Sequence, residues 1–78
     1  MSLQKKRLEA GLSQSRLATV SGVNIRTIQA YEVGKRNING ADIKVIYKLA
    51  SCLKCNVIDI LNYDAELYQL LKEVHNGI

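Results

Sequence analysis

Seventy-eight residues make one domain, near the lower size at which an apolar core holds without disulfide or metal staples. A hydrophobic content of 47% excludes a chain disordered by composition, and no apolar run is long enough to span a bilayer. The opening Met-Ser-Leu-Gln-Lys-Lys lacks the apolar stretch of a signal peptide, so a cytoplasmic protein without membrane contact is expected.

The formal charge of +4 is unevenly spread. Residues 1–36 carry seven basic side chains (Lys5, Lys6, Arg7, Arg16, Arg26, Lys35, Arg36) against Glu9 and Glu32, whereas residues 62–78 carry Lys72 against Asp64, Glu66 and Glu73. A basic half and an acidic tail suit a protein that sets one face against phosphate. In chain order, Leu3 to Ala10 reads as a first helix closed by Gly11, with Leu3, Arg7, Leu8 and Ala10 reaching the interior. Ser13 is a good N-cap for a second helix opened by Gln14, with Leu17, Ala18 and Ser21 at helical spacing. Gly22 supplies the left-handed geometry that stops this helix, and Val23 turns toward the core. Asn24 then caps a third helix through Ile28, Tyr31 and Glu32, which ends at Gly34. Helix, glycine turn and second helix, followed by Lys35-Arg36, is the outline of a DNA-binding helix-turn-helix.

Beyond it, Asn39 can cap a fourth helix with Asp42 reaching back from N3, while Ile38 staples onto Ile43. Ile43, Ile46, Leu49, Ala50 and Leu53 form a stripe read as core. Cys52 and Cys55 make a lone C-x-x-C. With no second pair, and only His75 in the tail, neither a redox centre nor a zinc site is expected, and the thiols read as small buried hydrophobes. No other metal or cofactor is expected. Asn56 can cap a short fifth helix, Val57 to Leu61. From Asp64 to His75 runs one more amphipathic stretch, with Leu67, Leu70, Leu71 and Val74 on one face. It reads equally as a helix folded onto the domain's own core and as a dimer or partner contact.

The run Gly11-Leu12-Ser13-Gln14, Leu17-Ala18, Ser21-Gly22-Val23, Thr27-Ile28, Tyr31-Glu32 and Gly34-Lys35-Arg36 resembles the lambda-repressor-like (Cro/cI, XRE) helix-turn-helix family. The likeness continues through Tyr47-Lys48-Leu49-Ala50 and Asp59-Ile60-Leu61. It implies an all-α, compact five-helix domain over residues 1–62; the short C-terminal helix over 63–78 lies beyond the family motif and is expected from its amphipathic pattern alone. The third helix would enter the major groove of double-stranded DNA. In that frame Arg7 pairs with Glu32 as a structural ion pair whose guanidinium can also approach a phosphate. Gln14 grips a phosphate together with nearby backbone N–H groups. Ile25, Arg26 and, one turn on, Ala30 face the bases, and Arg26 is the sharpest candidate because guanidinium matches O6 and N7 of guanine. Asn24, Thr27 and Gln29 lie on the same outer side, and Thr27 and Gln29 can serve a phosphate or a base. Lys35 and Arg36 neutralise phosphates beside the groove.

The chain departs from the family in the connection Asn37-Ile38-Asn39-Gly40, longer than usual by about three residues, and at three single positions. Lys6 stands where Leu or Ile is usual, Val33 where Asn is frequent, and Ala30 where many relatives have a longer polar side chain. The two cysteines stand where the family packs small apolar residues between its fourth and fifth helices. The implied function is a sequence-specific transcriptional regulator, a repressor that holds an operator as a homodimer. The alternative is an antitoxin-like or accessory module that binds a partner protein through Leu67, Leu70, Leu71 and Val74. An enzyme is not expected, because no nucleophile–base pair or phosphate-cradling glycine loop is present.

Overall fold

Four α-helices and two single 3-10 turns build residues 2–62, the part of the chain that the structure, a computed structural model, describes; no strand occurs among these residues. The helices are α1 (Ser2–Glu9), α2 (Gln14–Ser21), α3 (Ile25–Glu32) and α4 (Ile43–Leu53), with 3-10 turns at Ile38–Gly40 and Val57–Ile60. The expected C-terminal helix over 63–78, with Leu67, Leu70, Leu71 and Val74, lies outside the described residues.

Short polar side chains start most of these elements. Ser13 accepts from Arg16 N at 3.0 Å. Asn24, Asn37 and Asp42 each accept from the amide two residues on, at 2.8, 3.0 and 2.7 Å. Such bonds satisfy amides that have no intrahelical acceptor. Gly22 ends α2 with φ of 73°, a left-handed conformation that costs a residue with a Cβ far more. Lys54 ends α4 in the same region (φ 53°) without being glycine, and Cys55 N closes the cap on Ala50 O at 3.1 Å.

The core is one cluster drawn from every element. Leu3 of α1, Leu17 of α2, Ile28 of α3, Leu49 of α4, and Ile38 and Ile60 of the two 3-10 turns are fully buried. Val23, from the α2–α3 turn, plugs the same cluster. α2 packs against both α3 and α4, and the second 3-10 turn closes α1 against α4.

Several expectations need correction. Leu8 is 61% exposed and Ala10 is exposed, because a helix of eight residues turns only the Leu3–Arg7 edge inward. Asn39 does not cap α4: that cap is Asp42. Asn39 instead accepts from Asn62 N at 2.8 Å and donates through its amide nitrogen to the Asn62 carbonyl. Asn37 caps a 3-10 turn that carries Ile38 into the core, so α4 starts later and Ile43 falls on its outer face, 66% exposed. The staple between Ile38 and Ile43 is therefore absent, and the core stripe of α4 begins at Ile46.

In place of the expected fifth helix, Val57 to Leu61, stands a 3-10 turn, Val57–Ile60, with the Asp59 carboxylate accepting from Asn56 N at 2.9 Å. Both cysteines are free and half-buried at the edge of the core. Cys52 donates to Val20 O at 3.4 Å, so its thiol contacts α2. Burial, with Asp59 nearby, pushes the Cys55 thiol pKa up, so the group stays protonated near neutrality.

Leu49→Ala should cost about 2–5 kcal/mol through the cavity it leaves, whereas Leu8→Ala should stay within about 0.5 kcal/mol. Urea unfolding of the two variants checks this. Similar losses would mean that α1 packs by a different face.

Candidate nucleic-acid interface

The α2–α3 unit is held rigidly from behind. Ser21 Oγ accepts from Val23 N at 3.1 Å across the turn, and Gly22 N donates to Ala18 O at 3.0 Å. On α3, Ile28, Tyr31 and Glu32 recur at i, i+3 and i+4 and are all buried. That leaves one side of α3 to the outside.

The interior side ends in a buried ion pair. Arg7 Nε and Nη2 donate to the two carboxylate oxygens of Glu32 at 2.7 and 2.9 Å, and Nη1 donates to Leu12 O at 2.7 Å. The hydrogen-bonded carboxylate raises the Arg7 pKa against the opposing effect of burial, so the guanidinium stays charged at physiological pH. With every guanidinium nitrogen engaged and Arg7 only 7% exposed, its side chain is committed to the fold and not free for an external phosphate. Gln14 joins this pair: its Nε2 donates to Glu32 Oε1 at 3.1 Å, and its Oε1 accepts from Gln29 Nε2 at 3.4 Å. One carboxylate thus ties α1, α2 and α3 together.

The outer side gathers most of the residues expected to contact DNA. Asn24, Arg26 and Gln29 are exposed, and Ile25, Thr27 and Ala30 are half-buried. Gln14 is half-buried, with its amide turned partly inward by Glu32. Lys35 and Arg36 are exposed beyond the end of α3. Arg36 lies over Tyr31, with Cζ 5.4 Å from the ring centroid, so its charge sits on the aromatic face. Val33 is 75% exposed, which suits a position where a polar residue would also be tolerated. Lys6 is bound locally to Glu9 at 3.3 Å, and that contact raises its pKa.

Sequence reasoning anticipated the Arg7–Glu32 pair through the resemblance. It missed the links of Gln14 to Glu32 and to Gln29, which join residues 18 and 15 positions apart without any local signal. It also missed the Arg36–Tyr31 stack. Among the described residues, no group of three or more His, Cys, Asp or Glu side chains gathers as a metal site. No described helix is long and apolar enough to cross a membrane.

Two short helices joined at a left-handed glycine, the second presenting a polar face beside a basic pair, define a helix-turn-helix protein. A family model described as helix-turn-helix, of the Cro/cI (XRE) type, matches residues 3–60, and the chain belongs to that family. It is a helix-turn-helix DNA-binding regulator. Neither curated proteins nor solved structures give a significant match to it.

Arg7→Met should lower stability by about 3–5 kcal/mol, since the buried Glu32 carboxyl would lose its cationic partner and keep only the Gln14 amide. Arg7→Met combined with Glu32→Leu should recover most of that loss. Chemical denaturation of both variants decides the matter. A double variant no better than the single one would show that the pair, and not the orphaned carboxyl, carries the energy.

Proposed function

We propose that the protein is a sequence-specific transcriptional repressor that occupies an operator as a homodimer, one copy per half-site. The observation that carries this reading is an exposed arginine, Arg26, on the first turn of a helix whose other face is locked into the core. A guanidinium held so can bond O6 and N7 of one guanine bidentately. Ile25 and Ala30 flank it with apolar surface suited to thymine methyl groups, and Asn24, Thr27 and Gln29 add polar groups for a base or a phosphate. Gln14 and the free amides at the start of α2 form a phosphate grip. Lys35 and Arg36 neutralise further phosphates and contribute affinity without sequence information. A single reading helix covers few base pairs, so two copies on half-sites about one helical turn apart supply the required discrimination. Repression follows from occupancy where polymerase would bind.

Selection from random duplex DNA with the purified protein tests this directly. The expected product is an inverted repeat with half-sites about one turn apart. An enriched single half-site would remove the homodimer, and no enrichment from a folded protein would favour a module that binds a partner protein. Arg26→Ala should lose about 1–3 kcal/mol of discrimination at one base position. Lys35→Ala should weaken binding to all sequences alike and flatten the log–log salt dependence by about one. A changed base preference in the Lys35 variant would contradict its assigned role.

A further inference from the structure

The outer face of α4 carries two exposed apolar side chains one turn apart. Ile43 and Tyr47 are each 66% exposed, and together with Lys44 and Lys48 they line a shallow groove whose surface is almost wholly apolar. A helix that buries one stripe normally shows polar residues on the other, so an adjacent Ile–Tyr pair there is a surface that wants a cover.

The chain's own continuation has the chemistry and the starting point to provide it. Asn62, the last described residue, is held to Asn39 through both its amide and its carbonyl. Asn39 precedes Ile43 by four residues, a span of at most about 14 Å. Residue 63 therefore starts within short reach of the groove. From there the sequence carries Leu67, Leu70, Leu71 and Val74 at i, i+3, i+4 and i+7, with Glu66 and Glu73 beside them and three acidic residues against Lys72. Leucines match Ile43 and Tyr47, and carboxylates match Lys44 and Lys48. Two copies of this α4 face, set against each other, would instead bring lysines together.

We propose that this face of α4 is the docking site of the chain's own segment 63–78, bound within the same molecule. The segment is then an internal cover, and α2 and α3 remain free for other contacts.

Limited trypsin digestion of the full chain tests the proposal, because Lys72 is the only Lys or Arg after residue 54. Ile43→Asp with Tyr47→Asp should speed cleavage after Lys72 about tenfold, since proteolysis tracks the open population. Lys44→Glu with Lys48→Glu should also speed it, and Arg26→Ala should not. Circular dichroism shows whether each variant keeps its helices, all four altered positions being exposed. Equal rates in all variants would overturn the proposal. So would wild-type protection that fades on dilution, which would mean that a second copy supplies the cover. As an independent readout, Leu67→Asp with Leu71→Asp should move the NMR signals of the Tyr47 ring and leave those of buried Tyr31 in place. An unmoved Tyr47 would overturn the assignment.

Discussion

The orientation of the outer helix face depends on the buried contact between Arg7 and Glu32. α1 is two turns long and has one fully buried apolar anchor, Leu3, so little else fixes its rotation. The guanidinium meets both carboxylate oxygens and also the Leu12 carbonyl in the loop toward α2. Such a pair gains little over apolar packing in net free energy, because two charges lose their water. Its value is geometric: a planar donor fork accepts one arrangement where two leucines would accept several. Here that arrangement joins the start of the chain to the end of α3.

Glu32 extends the constraint outward. Its Oε1 takes donors from both Arg7 and Gln14, which sets the polarity of the Gln14 amide. The amide oxygen of Gln14 is left to accept from Gln29 on α3. A surface glutamine normally samples many rotamers, and ordering one costs conformational entropy. A side chain ordered before a ligand arrives loses less on binding. Arg36 is restrained similarly by the Tyr31 ring, whose other side belongs to the core. The packing that builds the domain therefore also narrows the conformations of groups on its outer surface.

The parts legible in the sequence were those governed by local chemistry. Ser13, Gly22 and Asn24 announce the limits of α2 and the start of α3, and Leu17, Val23, Ile28 and Tyr31 follow helical spacing into the core. Legibility failed where a distant partner decided a local choice. Asn39 has every property of a helix cap, but Asn62, 23 positions on, engages it from just past the second 3-10 turn. Asp42 then starts α4, and the register that looked like a stapled Ile38–Ile43 pair divides between core and surface. Leu8 and Ala10 failed for a simpler reason: in so short a helix, composition leaves the rotation undecided, and Arg7 sets it through Glu32. The likeness to the helix-turn-helix family supplied that partner, which spacing alone did not.

On the proposed reading, the chemistry of the outer face divides affinity from discrimination unevenly. Ala30 and, just past α3, Val33 offer no side-chain hydrogen bond, so beyond Gln29 this end of the helix contributes little polar readout. Lys35, Arg36 and the start of α2 act on phosphate, whose energy is the same for every sequence and falls steeply with salt. Discrimination then rests mainly on Arg26, with apolar contacts from Ile25 and Ala30, at about 1–3 kcal/mol for a good bidentate contact. One such head is too weak against the competing sites of a genome. Two heads on one operator roughly double the discriminating free energy and make occupancy depend more steeply on protein concentration. A regulator built this way responds to its own abundance, and a dedicated ligand pocket is not required for that response.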